Sequence, residues 1–217
     1  MLLSSCVKPE WSPASNCIYP IYLCRMNKTR LEAFSDGVLA IIITIMVLEL
    51  KIPLTESWQD IRHMLFEIGT YLLSFVFIAT FWGNHHQMLH TVKFTTPKII
   101  WTNMLVLFLL SLIPFATRWM ADKHFDSLTV ASYGFILMLC SIAFYFLQLS
   151  IMSGNQVSEK LKEALKKQSV KGIICLFLYF SSIPLAYLHV GISIGIFVFQ
   201  GICWMIPDKA IERALRE

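Results

Sequence analysis

"RLEAFSDGVLAIIITIMVLELKIP", residues 30–53, starts on an Arg, passes Asp36, runs through twelve uncharged residues and meets Glu49. At about 1.5 Å per residue, twelve residues cover only about 18 Å of a hydrocarbon layer roughly 30 Å thick. The charged ends of this stretch therefore fall within membrane depth. Such placement is tolerable where the charges face water or protein rather than lipid. Either the segment is an ordinary anchor or it lines something wet.

The rest of the chain supports a membrane setting. Of its 217 residues, 56% are hydrophobic and 15% charged, and the mean hydropathy is +0.63. A soluble domain of this length cannot bury that much apolar surface. The apolar residues come in long uncharged blocks, not in the period-two alternation of an outer-membrane barrel. The class is all-α, a polytopic integral membrane protein in a lipid bilayer. Cys6, Cys17 and Cys24 precede the first span, and Cys140, Cys175 and Cys203 lie inside spans. With no Cys-x-x-Cys, neither a zinc site nor a redox pair is indicated, and the thiols read as small apolar groups. The net charge of +4 is no sign of nucleic-acid binding, because its distribution follows the span ends.

Residues 1–25 hold three Pro and no helical period, and they lack the basic region and apolar core of a signal peptide. They read as a disordered tail or an upstream extension. Residues 26–207 form the membrane domain and 208–217 a C-terminal tail. The first span covers about 31–50, ended by Pro53, and the second about 63–90. The third covers about 98–119 and contains Pro114; the fourth covers about 127–152. Residues 172–207 carry no formal charge and are too long for one span. A turn at His189-Val190-Gly191 divides them into a fifth span, about 169–188, and a sixth, about 191–207. The 153–171 loop reads as a short amphipathic cytosolic helix with Leu161 and Leu165 on one face and a Glu163/Lys167 pair. Six spans put both termini on one side. That side then holds fourteen Lys and Arg, against four on the other: Lys51, Arg62, Arg118 and Lys123. This asymmetry places both termini in the cytoplasm.

Within the first span, Ile41, Thr44 or Ile45, and Leu48 recur at helical spacing and form one stripe. The span is apolar all round, so periodicity leaves open whether this stripe meets lipid, protein or a pore. Arg30 and Asp36, about 240° apart around a helix, cannot pair with each other. Candidate partners lie in "FWGNHHQMLH", residues 81–90, with Trp82, His85 and His86, and at Asn103 of the third span. A network of these groups would lock the first helix to its neighbours. The plainer alternative makes Ser35 and Asp36 a helix N-cap before Gly37. His86 and His90, at i and i+4, lack the acidic or Cys partner of a metal site, so no metal and no cofactor is expected.

Arg30-x-x-x-Phe34-Ser35-Asp36 resembles the signature that opens the first helix of the lysosomal potassium-channel family, transmembrane protein 175, and its bacterial relatives. The likeness extends over about residues 26–207, and Trp82, His85 and Asn103 look like parts of the family's second and third helices. It implies a non-canonical channel fold in a bacterial plasma membrane, conducting potassium ions. Animal members carry two six-span repeats and this chain one, so the resemblance implies a homotetramer with the first helix lining the pore. The family's narrowest point is a bulky aliphatic residue, carried over as Ile41. Thr44, Ile45 and Leu48 would follow along the pore, with Glu49 at the outer mouth. Glu49 as a mere end marker of the helix is the plain reading of that position.

Two rival functions have requirements of their own. A proton- or ion-coupled transporter would use Asp36 and the His85/His86 cluster, and would show inverted repeats or broken helices; no convincing repeat is visible. An integral-membrane enzyme needs a nucleophile–base pair or metal triad at one depth, and none stands out. Gly191-x-x-x-Gly195 has the spacing of a helix-packing motif.

Overall fold

A computed structural model of the chain describes residues 27–51, 57–154 and 159–205. The readings of residues 1–25 and 208–217 as tails lie outside these. Seven helices make up the described chain: α1 (Lys28–Leu48), α2 (Trp58–His90), α3 (Pro97–Leu110), α4 (Ile113–Asp122), α5 (Ser127–Gly154), α6 (Glu159–Leu188) and α7 (Val190–Met205). No strand occurs among the described residues.

Local sequence explains the boundaries. Asn27 caps α1, its side chain accepting from the Thr29 N–H at 3.3 Å. Ser57 caps α2 through the Asp60 N–H, and Thr96 caps α3 through the Ile99 N–H with Pro97 in the first turn. The helix α1 therefore begins two turns before Ser35, and the reading of Ser35 and Asp36 as its N-cap is wrong. The third span is interrupted at Ser111 and Leu112, just ahead of Pro114, giving α3 and α4 in place of one continuous helix. Proline there lacks the N–H that would continue the ladder.

Counting α3 and α4 as one interrupted crossing, five helical segments of 21 to 33 residues are long and apolar enough to span a bilayer. The α7 helix has 16 residues, about 24 Å at the standard rise. The expected cytosolic helix is not a separate element. It forms the first turns of α6, which runs unbroken from Glu159 to Leu188. Its Leu161, Ala164 and Leu165 pack against Met152, and Lys167 meets Glu163 at 3.0 Å.

The α5 helix lies at the centre, packed on α3, α4, α6 and α7, whereas α1 packs on α2, α3 and α4. Gly134 makes this closeness possible: a Cβ there would lie 2.8 Å from Ser182 Oγ and 3.0 Å from Phe197 Cζ. Around it Phe77, Tyr133, Tyr179 and Phe197 form a buried aromatic group, with Tyr133 edge-on to Phe197 at 5.4 Å. Gly195, by contrast, meets open space, so the Gly191/Gly195 pair brings no helix close within the protomer.

Candidate functional site

The α1 helix has two faces that hydropathy cannot tell apart. Leu31, Ser35, Leu39, Ile42 and Met46 are buried against the bundle. Their spacing of three and four residues keeps them on one side. Phe34, Ile41, Thr44, Ile45 and Leu48 lie on the opposite side and are exposed in the protomer, Ile41 at 59% and Leu48 at 80%. The Thr44 hydroxyl donates to the Ile41 carbonyl at 2.8 Å, which leaves its oxygen lone pairs unused.

Near its N-terminal end, α1 is tied down by a largely uncharged network. Ser35 is fully buried and its hydroxyl donates to Leu31 O at 2.8 Å. Asn103 Nδ2 donates to Ser35 Oγ at 2.9 Å, and Asn103 Oδ1 lies 2.6 Å from His85 Nε2. An amide oxygen only accepts, so His85 donates from Nε2. This single chain of bonds joins α1, α3 and α2. Beside it, Trp82 Nε1 donates to Asp36 Oδ1 at 2.9 Å. His86 stacks on Trp82 with ring centroids 5.7 Å apart, and its Nε2 lies 3.0 Å from Nε2 of His90. Lys28 Nζ adds a bond to His90 O at 2.9 Å. Arg30 is exposed, and its guanidinium bonds to none of the described residues. The described residues contain no group of three metal-ligating side chains.

The other end holds a cluster that the sequence reading did not single out. Glu67, 3% exposed, accepts from Arg118 Nη1 at 3.2 Å and from the Lys51 N–H at 3.0 Å. Arg118 also donates from Nε to Asp122 Oδ2 at 2.9 Å and from Nη2 to Asp122 Oδ1. Its Nη1 donates to Glu49 O at 2.7 Å. Lys51 Nζ reaches Asp122 at 3.0 Å, His63 Nδ1 lies 3.5 Å from Glu67, and the His63 ring meets His124 edge-on at 5.0 Å. Glu49 thus enters the cluster through its backbone, while its side chain is exposed. Glu67 did carry a signal of its own, an acid inside the predicted second span, but one that named no partner.

A third, smaller network lies between them. Thr117 Oγ1 donates to Ser74 Oγ at 2.7 Å, and Ser74 Oγ lies 2.9 Å from the Tyr133 hydroxyl. It joins α2, α4 and α5 through buried hydroxyls that satisfy one another.

A potassium channel of Chryseobacterium is 43% identical over 192 residues, spanning 88% of this chain and all of the relative. The chain belongs to the TMEM175 family. Residues 30–114, which include the Arg30–Asp36 motif and all of α2 and α3, match the family's model, described as endosomal/lysosomal potassium channel TMEM175. A potassium channel of Chamaesiphon minutus is 30% identical over 83% of this chain and 95% of its own length. The crystal structure of a lysosomal potassium-selective channel TMEM175 homolog from Chamaesiphon minutus superposes with a TM-score of 0.72 at 26% identity, covering 82% of this chain and 96% of that one. The fold expected from the family resemblance is therefore the fold observed: all-helical, with apolar membrane-spanning helices.

Proposed function

We propose that copies of this chain assemble as a homotetramer around a central axis lined by α1, and conduct potassium with a modest preference over sodium. The observation that carries this reading is the unpartnered face of α1. Ile41, Thr44, Ile45 and Leu48 point away from the bundle while the helix is fastened at both ends. A membrane anchor does not need such fastening, whereas a pore helix must hold its position as ions pass. The bacterial relatives, named potassium channels, support the same assignment.

The proposed chemistry follows from what these side chains lack. A ring of Ile41 side chains offers an ion no ligands. It gates by dewetting and favours the cation that sheds water more cheaply, which is potassium. Thr44 stands one turn beyond, and its unused lone pairs would offer a partly dehydrated ion an oxygen. Glu49, exposed past Leu48, would raise the local cation concentration at the outer mouth. Neither a "TVGYG" loop nor an Arg ladder is in the sequence, so selectivity is modest and steep voltage gating is not expected. The excess of Lys and Arg on the side that holds the N-terminal end of α1 supports cytoplasmic termini, and the bacterial relatives support a bacterial plasma-membrane setting.

Purified protein in planar bilayers under asymmetric KCl and NaCl tests this reading. Unitary steps with a reversal potential near that of potassium support it. Turnover without unitary steps would favour a transporter working through Asp36 and the His85/His86 cluster instead.

A further inference from the structure

Remote from α1, helices α2, α5 and α6 enclose a cavity of about 280 Å³, with Trp204 of α7 at its edge. Most of its wall is apolar, built by Phe77, Phe81, Phe144 and Leu176. Such a wall gives a water molecule few of the partners it needs. At one end lie three amide side chains, and their bonds are not complete. Gln148 Nε2 donates to Leu165 O at 2.7 Å, and Asn84 Nδ2 donates to Thr80 O at 2.7 Å. Gln168 is 3% exposed. Its Nε2 makes only a long 3.4 Å bond to Asn84 Oδ1, and its Oε1 has no hydrogen-bond partner among the described residues. An amide so weakly held can turn toward the cavity, and a buried acceptor left unused is costly.

We propose that this cavity is a binding site for a hydroxyl-bearing amphiphile taken from the membrane, its head donating to Gln168 Oε1. The mouth supports this occupant. Phe146 and Ile173 line the cavity and are 49% and 39% exposed, so it opens on the apolar outer surface, where lipid-borne molecules arrive by lateral diffusion. Size supports it too. An apolar cavity of about 150 Å³ admits benzene, so this one has room for two rings or the end of one alkyl chain. The free group at the polar end is an acceptor, which selects an alcohol over an ether or a ketone.

The test uses the full chain in phosphatidylcholine vesicles with dodecanol carrying a chain-end diazirine. After irradiation, adducts are mapped by mass spectrometry. The site predicts labelling concentrated at 142–148 and 169–176, saturating with probe and displaced by plain dodecanol. Gly172 lines the cavity, and a Cβ added there would meet no atom within 4 Å. Gly172→Phe, whose Cβ has room, should therefore place its ring in the space and lower the saturable labelling about tenfold. Gln168→Leu should lower labelling by the alcohol about fivefold while leaving labelling by its methyl ether unchanged, the effect of one hydrogen bond. Labelling that never saturates in the unaltered chain overturns the proposal by itself. So does labelling that persists in Gly172→Phe, or in Gly172→Leu should the larger variant fail to fold. The readout is independent of current, so this site stands or falls apart from the channel assignment.

Discussion

The two ends of α1 are held by opposite kinds of chemistry. Near its N-terminus the contacts that fix it are mainly neutral and buried: Ser35, Asn103 and His85 in one chain of bonds, with the charged Asp36, bonded to Trp82, and Lys28, bonded to His90 O, beside it. Near its C-terminus they are ionic, with Glu67 and Arg118 largely buried and Asp122 and Lys51 half in water. The neutral end costs little desolvation, and its directional bonds fix the rotation of α1 about its own axis. The ionic end tolerates a wetter site and holds the helix terminus by charge. Together they would hold the Ile41 face of α1 in a set direction without occupying any of it.

Removing one partner from each end tests this contrast. The largest loss should come from Arg118→Ala, which leaves Glu67 buried without its guanidinium. Breaking a buried pair in this way costs about 3–5 kcal/mol, so thermal melting in detergent should show a strongly destabilised protein. Asn103→Leu should cost less, about 1–3 kcal/mol, because the groups it strands on Ser35 and His85 are neutral. The double variant should lose close to the sum, since the two sites share no side chain. A marked departure from additivity would mean that the two ends act as one unit. Smallest of all should be Lys51→Ala. Its bond to Asp122 is exposed, with side chains 65% and 39% accessible, and pairs of that kind contribute about 1 kcal/mol or less.

The same contrast separates what was legible in the amino-acid sequence from what was not. The neutral network was legible because its residues are rare in an apolar helix. Ser35, Asp36, Trp82, His85 and Asn103 stand out from a background of Leu and Ile, and polar groups at one depth seek one another. The ionic cluster was hidden by position. Lys51, Arg118 and Asp122 fall at or near span ends, where charge is ordinary and serves to set topology, so their contacts carried no separate signal. Glu67 sat within the predicted second span, but pairing it with Arg118 requires knowing that α2 and α4 are neighbours. The break at Ser111 had a local signal in Pro114, which can kink a span or interrupt it, whereas the continuity of the 159–188 helix is not addressed by span counting. The two faces of α1 posed the hardest case. Ile42 and Ile45 are chemically alike, yet one is buried and the other exposed, and only the bundle distinguishes them.

The direction of that exposed face decides whether α1 lines a pore. With Ile41→Cys in planar bilayers, a charged thiol reagent added during recording should reduce potassium current in the variant and leave the unaltered chain unaffected. Current that is untouched by complete modification at position 41 would take Ile41 off the pore axis and turn this face of α1 toward lipid.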